Sequence, residues 1–253
     1  MALPYDLLAY QRLEALAQHQ RYLGAFIFGS MARGDAGPQS DLDVKVVIDA
    51  DNDCTNINHP HIDGVKLDIT FISLDQLRRQ TDAEIERGER VPMLAESIVV
   101  FDKTGALSRL KEEAQQARPK AMQSDEHQLA QFLIYHADNK VERHLVDDPL
   151  AALLVMHVSF YDILSIHYQI QGRWRLSDKR LLRDLRGWDP ALATLVEQFV
   201  ATCEAQPKYA LWSQIIDYVL APLGGRQPIS ENNCACPVCR ADLALLTDTI
   251  SSV

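Results

Sequence analysis

Two aspartates stand inside a hydrophobic run. In "FIFGSMARGDAGPQSDLDVKVVID", residues 26–49, an apolar stretch breaks at Gly29-Ser30 and passes through ten mostly polar residues. It then resumes around Asp41 and Asp43. Acidic side chains rarely occupy buried runs unless a counter-charge or a metal holds them. Residues i and i+2 of a strand share a face. "DLDVKVV" therefore sets Asp41, Asp43 and Lys45 on one side, with Leu42, Val44 and Val46 on the other. The two carboxylates stand about 6–7 Å apart along such a strand. A later run, "VKLDITF", repeats the pattern with Lys66, Asp68 and Thr70 opposite Val65, Leu67, Ile69 and Phe71. If the two strands are neighbours, Asp68 completes a three-carboxylate cluster.

Such a cluster repels itself unless a cation sits within it. A few hard oxygen donors suit Mg²⁺, which keeps its other positions for water and substrate phosphates. A pair of such ions clamps an in-line displacement at phosphorus. Gly29-Ser30 meets the complementary need. Glycine lets backbone N–H groups approach a phosphate, and the serine hydroxyl adds a donor. A helix opening at Ser30 would add a favourable dipole. Arg33 lies in the same turn, within reach of a phosphate. A solvated strand face would also carry Asp and Lys, and a Gly-Ser turn alone identifies nothing. The joint pattern of Gly-Ser, spacer, Asp-x-Asp and an in-phase third Asp favours a site.

The elements that must position these residues are legible as short strands and a helical remainder. "YLGAFIFGS", "DLDVKVVID", "VKLDITFIS" and "AESIVVFDKTG" read as strands, after an opening helix. "SLDQ" has the form of a capping box and opens a helix at about Leu74. The loop "ADNDCTNINHPHIDG" is full of turn formers. Beyond Gly105 the pattern is almost entirely helical, with "DDPL" and "WDPA" each supplying an Asp cap before an N1 proline. The division falls near residues 105–120 and gives three parts: 1–110, 111–222, and a Cys-containing tail over 223–253.

"GSMARGDAGPQSDLDVKVV" resembles the signature of the DNA polymerase β-type nucleotidyltransferase superfamily: Gly-Ser, about ten residues, then Asp-x-Asp or Asp-x-Glu. The spelling is similar to that of stand-alone and aminoglycoside-modifying members. The resemblance implies an α+β fold, with a small mixed β-sheet flanked by helices and followed by an all-α helical bundle. It implies transfer of a nucleoside monophosphate, AMP foremost, from an NTP to a hydroxyl, with release of pyrophosphate and two Mg²⁺ ions as cofactor. It implies that Gly29 and Ser30 hold the β- and γ-phosphates and that Asp41 and Asp43 ligate metal. Asp68 would be the third carboxylate and would help activate the acceptor hydroxyl. The acceptor expected is a small molecule such as an aminoglycoside-like antibiotic. Adenylylation of a partner protein and a non-catalytic nucleotide-binding module are the alternatives.

In the helical part, "ADNKVERHL" offers Glu142 as a general base of the kind some relatives place in their second domain; an exposed helix face would carry it too. "GRWRLSDKRLLRDLRGWDP" is basic, and Lys179 after the Ser cap is the expected triphosphate contact. It could equally belong to a solvated face paired with Asp178 and Asp184. "NCACPVCRADL" places Cys234, Cys236 and Cys239 at spacing resembling a zinc knuckle, with only three of the four ligands that a closed Zn²⁺ site needs.

The chain of 253 residues is 47% hydrophobic and 24% charged, with a formal net charge of −10. That balance argues against a protein that coats nucleic acid. Five cysteines, an odd number without framework spacing, do not suggest disulfides. No basic-then-apolar leader opens the sequence, and no uninterrupted apolar run nears the roughly 20 residues of a membrane span. The expectation is a cytoplasmic protein acting without a membrane.

Overall fold

The computed structural model describes residues 5–37, 39–50, 60–62 and 65–226. The chain gathers into two compact units. One comprises the residues up to Met122 together with Tyr168–Asp184; the other comprises Gln123–His167 and the residues from Leu185 onwards.

The first unit runs α1 (Tyr5–Leu16), β1 (Tyr22–Phe28), α2 (Gly29–Arg33), β2 (Leu42–Ile48), β3 (His61–Ile62), β4 (Val65–Ser73), α3 (Leu74–Arg87), β5 (Ile98–Asp102) and α4 (Ala106–Gln116). A 3-10 turn, Met93–Glu96, precedes β5. The strands lie in the order β3-β4-β2-β1-β5. β2 and β4 are parallel and every other pair is antiparallel. The sheet is therefore mixed, as the resemblance implied. All four sequence-predicted strands form; β3, two residues long, lies in what reads as loop.

Alternation along the strands gives each face its own core. On one side Leu42, Val44, Val46, Val65 and Leu67 pack with Ala25, Ile27 and with Leu13 of α1. On the other, Phe26, Val47 and Ile72 pack with Leu77 of α3 and with Leu107, Leu110 and Ala114 of α4. Asp43 and Lys45 share the second face with Val47, by the strand period. That face thus passes from polar to apolar along β2. Further in, Lys45 is held by Gln80 of α3, Nζ to Oε1 at 3.0 Å, and burial pushes its ammonium pKa down. α3 opens where the capping signal places it: the Ser73 hydroxyl accepts from Gln76 N at 3.1 Å.

The second unit is helical. It draws on α5 (Ser124–His144), most of α6 (Pro149–Ile170), the end of α7 (Asp178–Trp188), α8 (Pro190–Ala201) and α9 (Ala205–Leu220). Both Asp-Pro signals work as caps: Asp148 accepts from Ala151 N at 3.0 Å and Asp189 from Leu192 N at 3.1 Å. Trp212, fully buried, donates from Nε1 to Asp138 at 3.0 Å. His167, also buried, stacks on Trp188 and places Nε2 2.8 Å from Asp189 Oδ2. Of the three tryptophans, Trp212 and Trp188 thus pack between helices, as a bundle requires.

Helix α6 is 22 residues long with a mean hydropathy of 1.6, enough by length and composition to cross a membrane. The sequence offers no uninterrupted apolar run there because His157, Asp162 and His167 punctuate it. Ala152, Met156, Ile163, Leu164 and Tyr168 are buried within the protein, whereas Leu150, Leu154 and Val158 are exposed.

Candidate nucleotide and metal site

The register of three strands brings the sequence pattern together. Phe28, the last residue of β1, lies opposite Asp43 of β2. Asp43 in turn lies opposite Asp68 of β4. The Gly29-Ser30 turn therefore leaves its strand beside two carboxylates. Gly29 adopts a φ of +70°, where an L side chain is strained. A Cβ there would meet Asp43 Oδ2 at 1.9 Å. The glycine is required twice, by its backbone conformation and by the carboxylate lying against it. α2 opens at Gly29, one residue earlier than expected, and ends at Gly34 in the left-handed region.

The acidic side carries its own cation. Lys66, two residues before Asp68 on β4, reaches Asp41 Oδ2 at 2.9 Å and Asp68 Oδ1 at 3.2 Å. These two hydrogen bonds, Asp41's first, hold the ammonium pKa above the usual lysine range. Asp43 has the opposite problem. Burial raises its carboxyl pKa, the negative charges of Asp68 and Asp41 raise it further, and Arg33 and Lys66 only partly offset them.

Facing the acids is a basic wall. A cleft of about 660 Å³ is lined by Gly29, Ser30, Asp41 and Asp43 on one side and by Lys179, Arg180 and Arg183 of α7 on the other. α7 is brought to this unit by the segment before it: Arg175 N donates to Glu89 O at 3.0 Å, and Arg90 and Arg175 form a parallel bridge. Arg180 donates to both oxygens of Glu96 at 3.2 Å each. Arg183 pairs with Asp35 at 3.2 Å. Arg33 Nε lies 3.5 Å from Asp35 Oδ1, yet is buried without a hydrogen-bond partner among the described residues. Three guanidinium groups thus share two carboxylates, which leaves one positive charge, and Lys179 adds another.

Of the residues singled out in the sequence, Gly29, Ser30, Arg33, Asp41, Asp43 and Lys179 line this one cleft, and Asp68 joins them through its register with Asp43. Glu142 is exposed on α5, in the other unit. Sequence reasoning passed over Arg180 and Arg183 in favour of Lys179. Their signal was present in the i, i+3 spacing of "RLLR". Asp35 and Glu96, which hold the arginines, left no signal, because nothing local distinguishes them from surface acids.

Two of the three expected carboxylates, Asp43 and Asp68, are partners on adjacent strands. Among the described residues, no three metal-ligating side chains converge on one centre. The Lys66 ammonium lies between Asp41 and Asp68. The donor set nevertheless fits a hard divalent ion: carboxylate oxygens on adjacent strands, two already bridged by a cation, and a third destabilised as an anion by its surroundings. The zinc expectation has no support: Cys234, Cys236 and Cys239 lie outside the described residues, and Cys203 is an exposed thiol.

Residues 11–120 match the sequence profile of the nucleotidyltransferase domain family. Among solved structures, a nucleotidyltransferase-like protein from Exiguobacterium sibiricum 255-15 aligns with 85% of this chain and 75% of its own, at 14% identity and a TM-score of 0.49. No curated protein matches the chain. Gly-Ser, Asp-x-Asp and the third aspartate all lie inside the matched span, so residues 11–120 are similar to the nucleotidyltransferase domain family over the stretch that carries the motif.

Proposed function

We propose that the protein transfers a nucleoside monophosphate, AMP foremost, from an NTP to a hydroxyl of a small acceptor such as an aminoglycoside-like compound. The observation that carries this reading is the cleft with an acidic wall and a basic wall facing each other across the Gly29-Ser30 turn. A triphosphate needs both: guanidinium and ammonium donors for its oxygens, and a place where a divalent ion can be held against it. In the reaction the acceptor oxygen bonds to the α-phosphorus, the bond to the α–β bridging oxygen breaks, and pyrophosphate leaves with that electron pair. The hydroxyl proton passes to a base, for which Asp68 is the carboxylate on this side of the cleft.

Asp41, Asp43 and Asp68 would hold Mg²⁺, which supplies charge neutralisation of the triphosphate when bound. The protein's own contribution is positioning. Gly29 and Ser30 seat the terminal phosphates, while Arg33, Lys179, Arg180 and Arg183 fix the triphosphate's direction along the cleft. A cationic acceptor accords with the net charge of −10.

Incubation with Mg²⁺ and α-labelled NTPs across a panel of aminoglycosides, lincosamides and candidate proteins tests the proposal. Label is expected on a small acceptor and absent with Asp43→Asn. Label on a protein instead would replace the acceptor class. The absence of both transfer and Mg²⁺-dependent NTP binding would refute the enzyme.

A further inference from the structure

Asp41 and Asp43, which line the cleft, make a two-by-two array with Lys66 and Asp68 of the neighbouring strand. Asp43 and Asp68 are register partners on parallel strands. Continuing that register by one period sets Asp41 beside Lys66, on the same face as the other two. Three corners of the array are acidic and the fourth is basic. The ammonium bonds laterally to Asp41 at 2.9 Å and along its own strand to Asp68 at 3.2 Å. Lys66 thus does in the metal-free protein what a divalent ion would do between the same carboxylates. Two other cations of this unit have partners of their own. Arg33 is engaged by Asp35 and Glu96, and Lys45 by Gln80.

We propose that Lys66 is a resident counter-ion of the metal site, displaced when a divalent cation enters, and that it sets the affinity with which metal is held. This inference rests on reading the cleft as a metal-dependent nucleotide site. Its physical content is competition. An ammonium on a flexible four-carbon stem, 38% exposed in its side chain, can swing into solvent at little cost. While in place it adds a positive charge where a doubly positive ion must sit. It also lowers the mutual repulsion of the carboxylates in the absence of metal, so the array stays assembled before nucleotide arrives. The device makes metal occupancy depend on the triphosphate. Free Mg²⁺ alone must compete with Lys66, whereas Mg²⁺ arriving with nucleotide brings the phosphate contacts of the basic wall with it.

The test uses the full chain and Mn²⁺ as probe. Free Mn²⁺ is followed by electron paramagnetic resonance, with and without a non-hydrolysable ATP analogue. Lys66→Gln should tighten Mn²⁺ binding without nucleotide by roughly three- to tenfold, the scale of a removed charge a few ångströms from a divalent ion in a solvated cleft. Lys66→Arg, which keeps the charge, should stay near wild type. A crystal of the wild-type protein soaked in Mn²⁺ should show the Lys66 ammonium out of hydrogen-bond reach of both carboxylates. Unchanged or weaker binding by a folded Lys66→Gln overturns the proposal. So does bound Mn²⁺ with both lysine contacts intact, a result that needs no variant to fold. If the wild type binds no Mn²⁺ even with nucleotide, the metal-dependent function fails as well. If it binds and Lys66→Gln changes nothing, only the counter-ion role fails.

Discussion

Gly29→Ala should separate the stability of the fold from the working of the site. At a φ of +70° an alanine pays for a left-handed backbone, about 1–2 kcal/mol. In a chain of this size that lowers the melting midpoint by about 2–8 °C. The larger effect is local. The new Cβ would lie 1.9 Å from Asp43 Oδ2, where real contacts do not fall below 3.0 Å, so the carboxylate has to retreat by more than 1 Å. The displaced group is the end of a side chain, which spares the fold, but it is a metal ligand in the proposed function, and the Gly29-Ser30 backbone beside it shifts too. Loss of one charge-assisted hydrogen bond costs about 1.5–3 kcal/mol, roughly a ten- to hundredfold loss of affinity. Calorimetric titration with Mn²⁺ and a non-hydrolysable ATP analogue measures this. Gly34→Ala is the control, because Gly34 has a φ of +73° but nothing within 4 Å of an added Cβ. It should melt at a similarly reduced temperature and bind nucleotide normally. Equal nucleotide binding by the Gly29→Ala protein and the wild type would refute the close approach on which the site depends.

Three further outcomes follow from the same geometry. Asp43 is destabilised as an anion, so its folded-state pKa lies above the unfolded value and the metal-free protein is penalised at neutral pH. Asp43→Asn should therefore melt higher than wild type without metal, the gap closing as pH falls through the raised pKa, while Mn²⁺ binding is lost. Burial depresses the pKa of His167 below its ordinary 6.5 despite the Asp189 partner. The stability this contributes is complete above pH 6.5 and declines as pH falls further, and His167→Gln should flatten that decline in pH-dependent unfolding. Trp212→Ala should cost about 3–5 kcal/mol in denaturant unfolding. Trp212→Phe, which keeps most of the bulk and removes the donor to Asp138, should cost about 1–3 kcal/mol.

The acidic wall was readable in the sequence because its determinants are local and periodic. Alternation fixes which side chains share a face, so "DLDVKVV" and "VKLDITF" announced Asp41, Asp43 and Asp68 before their strands were seen to pair. The Ser73, Asp148 and Asp189 caps were readable for the same reason: a cap acts within three residues. The basic wall was legible only in part. Composition marked the stretch around α7 as basic, but which cations turn to the cleft depends on Asp35 and Glu96, and those contacts carry no sequence period. Lys66 was read as one more polar residue on a strand face. Its significance comes from lying beside Asp41 across the β2–β4 pair, and a register is a tertiary fact.

The matched span ends at residue 120, yet Arg183 meets Asp35 across 148 residues of chain and Arg180 meets Glu96 across 84. During synthesis the strands, the turn and all three aspartates emerge and can pair while the α7 part of the basic wall has still to be translated. Closing such long loops adds little entropy penalty per residue, but it places these contacts among the last to form. A nascent chain therefore has a sheet before it has a site. Until α7 arrives, Asp35 and Glu96 have, among the described residues, only Arg33 between them, and the cleft is an acidic groove with no second side.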